Sequence, residues 1–210
     1  MFDGKKFIVV ITAPSGAGKT TVIDRLLKRG DNYRYSVSAT TRPRRGGEEH
    51  GRDYYFMDCK EFERGIEAGE FAEWAEVHGN LYGTLKSQID QVLAAGHYML
   101  MDVDIQGARS LRQVYSDGVY IQLIPPSMDE LRRRLSTRGT EDEAALQKRL
   151  DSAVKEIEEM DKFDYLVVND DIETACERIE NIIAAEKLKV SRLPDTARLI
   201  NQFLGRGSGE

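Results

Sequence analysis

The 210-residue chain predicts a three-layer α/β fold, a parallel sheet with helices on both faces, broken by one inserted subdomain and one helical lid. Three observations predict it. Short apolar, β-branched runs alternate with helical periodicity, which implies right-handed crossovers and parallel strands. The run Tyr98-Met99-Leu100-Met101-Asp102-Val103 is apolar on both faces, as a strand between two helix layers must be. Two polar, arginine-rich regions, residues 38–95 and 131–150, interrupt the alternation.

The first strand is Ile8-Val9-Val10-Ile11. It runs into Thr12-Ala13-Pro14-Ser15-Gly16-Ala17-Gly18-Lys19-Thr20-Thr21 and then a helical pattern over 22–28. Strand, glycine-containing loop, Lys-Thr and helix are the context of a phosphate-binding loop. Gly16 and Gly18 let the backbone turn tightly and aim N–H groups at phosphate oxygens. The helix adds its positive N-terminal end. Lys19 can reach the terminal phosphates, and the Thr20 hydroxyl can ligate Mg²⁺. The pattern G-x-x-x-x-G-K-[ST] has glycine where this chain has Ala13, so the loop is expected to avoid positive φ there. Residues 13–21 are expected to bind a nucleoside triphosphate.

The other elements follow in order. A second strand is expected over 33–38, a polar segment over 39–53, and a short strand over 54–56. Asp58 is placed to cap a helix carrying Phe62 and Ile66, which ends near Gly69. A helix over 87–95 stops at Gly96, and the strand over 98–103 leads to a helix over 106–115. A strand over 119–124 ends at Pro125-Pro126. Helices over 128–137 and 141–160, a strand over 165–168 and a helix over 172–190 complete the pattern. The tail has a short amphipathic patch (Leu199, Ile200, Phe203, Leu204), and 205–210 reads as frayed.

Composition bounds the function classes. Apolar content of 40% and charged content of 31% describe one globular domain with insertions rather than two domains. A formal charge of −6 argues against a nucleic-acid binder. Cys59 and Cys176 match no C-x-x-C spacing, so a reduced, cytoplasmic setting is expected. No apolar run approaches the roughly 20 residues of a membrane span, so no membrane partner is expected. His50, His78 and His97 show no ligand spacing, and no zinc site is expected.

The two interruptions carry the specific chemistry. Arg42, Arg44 and Arg45, flanked by Ser38, Thr40 and Thr41, either grip a dianionic phosphate with forked hydrogen bonds or form a solvated basic turn. Tyr54, Glu73, Tyr82 and Thr84 add aromatic, acidic and hydroxyl groups that could hold a phosphate and read a base edge. In the second region Arg134 and Arg138 share a helix face near a hinge at Gly139, with Arg149 further along. They either neutralise charge over a triphosphate or decorate a solvated helix. Asp102 ends the buried strand and Asp104 follows two residues later. Such a carboxylate can position Mg²⁺ directly or through water, or be a structural acid.

At this point the chain resembles the guanylate kinases, especially the bacterial enzymes. The motifs are S-x-x-T-R at 38–42, G-x-D-Y at 51–54, E-W at 73–74 and G-N-x-Y-G-T at 79–84. D-x-D-x-Q-G at 102–107, P-P-S at 125–127, R-x-x-x-R-G-T at 134–140, K-R-L at 148–150 and V-N-D-D at 168–171 follow in family order. They cover about residues 5–190. The resemblance implies Mg-dependent transfer of the ATP γ-phosphoryl group to GMP, giving ADP and GDP and serving GTP supply. It implies that Arg42, Arg45, Tyr54 and Tyr82 bind the GMP phosphate, that Glu73 accepts from guanine N1–H and the 2-amino group, and that Ser38 and Thr84 face O6. Asp104 assists at guanine or near Mg²⁺. Lys19, Arg134, Arg138 and Arg149 stabilise the transferring phosphoryl, Thr20 and Asp102 serve Mg²⁺, and Asn169 lies near adenine or the lid.

On this reading residues 1–190 are one P-loop kinase domain. Its core is about 1–37, 96–130 and 151–190, the GMP-binding insertion 38–95, and the lid 131–150. The extension over 191–210 lies outside the resemblance, and its apolar patch is a candidate homo-oligomer contact. The family spacing T-T-R-x-P-R-x-G-E is altered here, because Pro43 follows Arg42 directly and Arg44 stands at the usual proline. Leu81 stands where an aromatic is common. Two rivals are a kinase with another acceptor and a non-catalytic module that binds phosphorylated proteins. Glu73 with Ser38 and Thr84 argues against the first. The presence of Lys19, Asp102 and the lid arginines argues against the second.

Overall fold

The computed structural model describes residues 4–137, 143–193 and 195–206. Arg138 and the expected hinge at Gly139 lie outside the described residues. In chain order the elements begin with β1 (Ile8–Thr12), α1 (Lys19–Arg29), β2 (Tyr33–Tyr35), β3 (Ala39–Thr40), β4 (Tyr55–Phe56) and α2 (Cys59–Glu67). Next come β5 (Phe71–Val77), β6 (Asn80–Leu85), α3 (Lys86–Ala94), β7 (Tyr98–Asp102), α4 (Ile105–Val114) and β8 (Val119–Ile124). The last are α5 (Met128–Ser136), α6 (Glu143–Glu158), β9 (Tyr165–Val168), α7 (Ile172–Lys187) and α8 (Thr196–Phe203).

The main sheet has the order β2-β7-β1-β8-β9, and every pairing in it is parallel. Alternate side chains of one strand supply two cores. Val9 and Ile11 face Val22 and Leu26 of α1 and Ile179 and Ile183 of α7. Ile8 and Val10 face Ile89 of α3 and Ala108 and Leu111 of α4. Each fully buried Leu or Ile contributes about 1.5–3 kcal/mol, so this two-sided burial gives the rigid platform. The C-terminal ends of β1 and β7 open toward the loop that follows β1, where ligands of open parallel sheets bind.

The insertion builds a second sheet, β4-β3-β6-β5, in which β3 runs parallel to β4 and antiparallel to β6. Sequence periodicity did not reveal the β5–β6 hairpin. A register shift between Phe71 and Glu73 breaks the alternation that would mark β5. The hairpin turns on His78 (φ 51°) and Gly79 (φ 75°), with Val77 paired to Asn80. Two left-handed residues in a two-residue loop match the twist of a hairpin, but His-Gly is a weaker signal than Asn-Gly. β3 lies inside the segment expected to be loop.

Other boundaries moved by a few residues. β2 is shorter than the expected 33–38, because only Ser36 N–H, donating to Leu100 O at 3.0 Å, extends its pairing before the chain leaves for the second sheet. The long charged helix closes earlier than expected, followed by a 3₁₀ turn over Met160–Lys162. The caps explain several starts. Asp58, Asp104, Ser127 and Asp171 each accept a hydrogen bond from a backbone N–H three residues on. Cys59 is exposed, Cys176 is buried, and both are free thiols. Among the described residues no helix is long and apolar enough to cross a membrane.

Candidate active site

Local backbone geometry shapes the loop after β1. Gly16 (φ 89°) and Gly18 (φ 95°) are left-handed, and among described non-glycine residues only His78 is, so Ala13 meets the expectation of negative φ. A Cβ on Gly16 would come 2.7 Å from Leu135 Cδ2, and one on Gly18 would strike Asn169 Nδ2. Ala17 N–H donates to Pro14 O at 3.0 Å and closes the turn. Lys19 opens α1; its ammonium pairs with Asp102 and donates to Val103 O at 3.1 Å. Thr20 and Thr21 are exposed on the first turn.

Two cavities flank this loop. One, of about 330 Å³, is bounded by Ala13, Pro14, Ser15, Lys19, Thr20 and Glu156. The other, of about 480 Å³, is bounded by Gly18, Thr21, Arg134, Asn169, Asp171 and Ile172. Side chains from the expected lid reach both. Arg149 Nη2 donates to Ser15 Oγ at 2.6 Å, and Arg134 Nη2 donates to Asn169 O at 3.0 Å. Arg134 Nε is held by Glu130 at 2.7 Å; Arg133 and Arg134 together pull the Glu130 carboxyl down to about 2. Asn169 is buried, and its Nδ2 donates to Ala17 O at 2.7 Å, which ties β9 to the loop.

The insertion gathers its residues in two groups. Thr84 Oγ1 donates to Glu73 Oε1 at 2.7 Å, joining β6 to β5 at one register pair. Burial holds the Glu73 carboxyl above the ordinary range, the Thr84 hydrogen bond partly offsets this, and the nearby Asp104 charge adds to it. Asp104 Oδ1 itself accepts from Gly107 N at 2.8 Å. Gly107 leaves room beside Glu73, since a Cβ there would stand 3.4 Å from Glu73 Oε2. The second group is aromatic and cationic. The Arg42 guanidinium lies 5.2 Å from the Tyr54 ring centroid, and Tyr54 meets Tyr82 edge-on at 6.0 Å. Arg45 stays exposed, while Ser38 is half-buried with its carbonyl accepting from Tyr55 N at 2.9 Å.

Two functional candidates were missed in the sequence. Glu48 binds Arg42 with both oxygens, Nη2 to Oε1 at 2.7 Å and Nη1 to Oε2 at 3.1 Å, and also accepts from Arg45 N at 2.8 Å. Arg42 lowers the Glu48 carboxyl accordingly. The shifted Pro43 is accommodated, with Arg42 N donating to Thr40 Oγ1 at 3.1 Å and Arg42 Nη1 to Pro43 O at 2.9 Å. The glutamate that ends the family's arginine pattern was the available signal for Glu48. Glu156 borders the phosphate-side cavity, and burial raises its carboxyl. It is one acid among several on α6, so no spacing marks it.

Thr20 on the first turn of α1 and Asp102 at the end of β7 are oxygen donors beside the loop, the type that suits a hard cation. Among the described residues no group of three or more His, Cys, Asp or Glu forms a metal cage.

Comparison with known proteins bears on this geometry. A protein-family model described as guanylate kinase matches residues 5–186. The guanylate kinase of Thermotoga maritima is 48% identical over 188 residues, covering 90% of this chain and 91% of that protein. The guanylate kinase of Clostridium tetani is 46% identical over 195 residues, covering 93% of each. The crystal structure of guanylate kinase from Anaplasma phagocytophilum superposes with a TM-score of 0.75 at 36% identity, covering 97% of each chain.

Proposed function

This chain belongs to the guanylate kinase family of ATP:GMP phosphotransferases, and we propose how its own residues carry that reaction. The observation that carries the reading is the Thr84–Glu73 hydrogen bond at 2.7 Å. It engages one carboxylate oxygen and leaves the carboxylate oriented toward Gly107 and Asp104. Guanine presents two donors, N1–H and the 2-amino group, beside one acceptor. A carboxylate flanked by hydroxyls complements that edge, whereas adenine would leave the second, buried Glu73 oxygen without a donor, worth discrimination of order 10² or more. Ser38 takes the guanine O6 side, Thr84 reaches O6 only once its one hydroxyl hydrogen turns away from Glu73, and Asp104 supports the base.

Arg42, Arg45, Tyr54 and Tyr82 grip the GMP phosphate, and Glu48 holds Arg42 in its forked orientation before GMP arrives. The triphosphate of ATP lies along residues 13–21, with backbone N–H groups and the α1 N-terminus toward its oxygens. Adenine takes the cavity beside Asn169 and Arg134. Thr20 and Asp102 would hold Mg²⁺, which supplies charge neutralisation to the phosphates when bound. Lys19, Arg134 and Arg149 meet the charge that develops on the transferring phosphoryl; Arg138 is assigned the same role on the family motif alone. The GMP phosphate is already an anionic nucleophile, so no strong general base is required. Catalysis is positioning and electrostatics in a site closed by the 38–95 insertion and the 131–150 lid, and closure excludes the water that would hydrolyse ATP. The setting is proposed to be the cytoplasm.

The test is ADP formation from Mg-ATP with GMP, AMP, CMP, UMP or dTMP as acceptor. Turnover confined to GMP is expected. Efficient turnover with another nucleotide would overturn the Glu73 assignment while leaving the ATP side intact.

A further inference from the structure

A cavity of about 410 Å³ lies away from both nucleotide regions, between α4 and the segment after α6. Its size is that of a small-molecule site. One face of α4 forms a wall, since Ile105, Ala108, Arg109 and Arg112 follow the i, i+3, i+4, i+7 spacing of a helix side. Tyr120 from β8 and Phe163 form the apolar floor. Helix faces with this spacing ordinarily meet another element; this one meets open volume.

The polar groups at the rim have an unequal balance. Arg109 and Lys162 share the Glu159 carboxylate, and Arg112 Nη1 donates to Asp164 at 2.9 Å. Three cations thus face two carboxylates, in a chain whose formal charge is −6. The Arg112 guanidinium lies 3.9 Å from the Tyr120 ring centroid, and its Nη2 is buried with no hydrogen-bond partner among the described residues. The Arg112 side chain as a whole is 35% exposed, so part of the residue that borders the cavity remains within reach of an anion. A planar apolar body would extend the Arg112–Tyr120 stack, and a single anionic group would answer the spare cation.

We propose that this cavity binds a small aromatic anion, a ring system bearing one carboxylate or sulfonate, and that its occupancy is coupled to GMP affinity. The coupling part rests on the GMP reading above. α4 carries the cavity wall on one side, while its N-cap Asp104 and Gly107 stand beside Glu73 at its start. The segment after α6 supplies the opposite wall, so an occupant also touches the chain that leaves the lid. Small shifts of a packed helix are a recognised carrier of such coupling.

The probe is 8-anilinonaphthalene-1-sulfonate, titrated against the full chain with a non-hydrolysable ATP analogue and GMP both saturating, and located by backbone amide shifts. One saturable site is expected, with shifts centred on Arg109, Arg112, Lys162 and Phe163. Arg112→Gln is expected to weaken it about tenfold, as loss of a charge-assisted hydrogen bond predicts. Because Arg112 also packs on Tyr120, the exposed reversal Lys162→Glu serves as a second variant, expected to weaken the probe severalfold without loss of fold. N-phenyl-1-naphthylamine, neutral and of similar shape, is expected to bind about tenfold more weakly. Shifts confined to the apolar surface around Leu188 and Val190, or equal binding of the neutral probe, would overturn the site. A GMP Kd unchanged by saturating sulfonate would overturn the coupling. Repeating the titration on Glu73→Ala separates failure of this site from failure of the GMP reading, since the cavity does not contain Glu73.

Discussion

The two halves of the nucleotide site are built in opposite ways. The phosphate loop of the ATP side is contiguous, residues 13–18 and the start of α1, shaped by two left-handed glycines and closed by Ala17 N–H on Pro14 O, with Asn169, Arg134 and Arg149 reaching it from other elements. The GMP side is assembled at long range. Glu73 and Thr84 meet because a hairpin pairs them, Asp104 arrives from the main sheet, and Arg42 is oriented by a glutamate six residues on. A contiguous site depends on backbone conformation; an assembled one depends on sheet register, where a one-residue slip turns every side chain to the other face. Damage to the two halves is therefore expected to have different signatures.

The largest separation is expected from Lys19→Ala. Phosphoryl transfer is expected to fall by about 10³-fold in kcat, the scale of one preorganised charge at a reacting phosphate, while calorimetric GMP affinity stays near the parent value. Near-parental transfer would end the phosphate-loop role of Lys19. Glu73→Ala is the complementary lesion. It is expected to weaken GMP about 10²-fold and leave ATP unchanged, and equal weakening of both would dissolve the distinction between the halves.

Paired glycine substitutions sharpen the contrast without removing any charge. Gly18→Ala imposes a side chain at φ 95° and against Asn169, and is expected to weaken ATP about tenfold with GMP spared. Gly83→Ala drives a Cβ to 2.7 Å from Glu73 O and 2.9 Å from Trp74 Cβ, and is expected to do the reverse at a cost of about 1–3 kcal/mol in stability. Isothermal titration of each variant with each nucleotide, beside thermal melts, reads the cross.

The smallest effect is a pH dependence specific to the GMP side. Burial sets the folded Glu73 pKa above the value for a glutamate in water, so the folded state takes up this proton more readily than the unfolded chain. Stability from this group therefore rises as pH falls through the raised pKa, while GMP affinity falls, because the protonated carboxyl loses an acceptor. A severalfold loss of GMP affinity is expected while free glutamate would still be ionised. The parent-to-variant ratio with Glu73→Gln cancels the titration of the GMP phosphate itself. A ratio flat from pH 7 down to the ordinary glutamate range of about 4.3 would mean that Glu73 does not titrate in the binding step.

The legibility of the sequence follows the same division. The phosphate loop, the buried strand ending at Asp102 and the cap at Asp58 were readable because each is a local rule of backbone or side-chain geometry. The four-stranded sheet of the insertion was not. Its strands are short, one carries a register shift, and β3 is two residues inside an arginine-rich segment. Its chemistry was expected from residue types and from family resemblance; Glu48 had a signal in the family's arginine pattern, whereas Glu156 acquires its meaning only from tertiary position. Placement near the loop singles out Glu156 from its neighbours on α6.

The Arg42–Glu48 fork bears on what the GMP side refuses. A guanidinium already matched by a carboxylate has little to gain from chloride, acetate or any other monoanion, which would only exchange one single charge for another. A phosphate monoester brings a second negative charge and a third oxygen, and can be shared with Arg45 and the two tyrosines. If Arg42 grips the GMP phosphate as proposed, Glu48 is a built-in competitor, and selectivity for a dianion over small monoanions is set before the base is read.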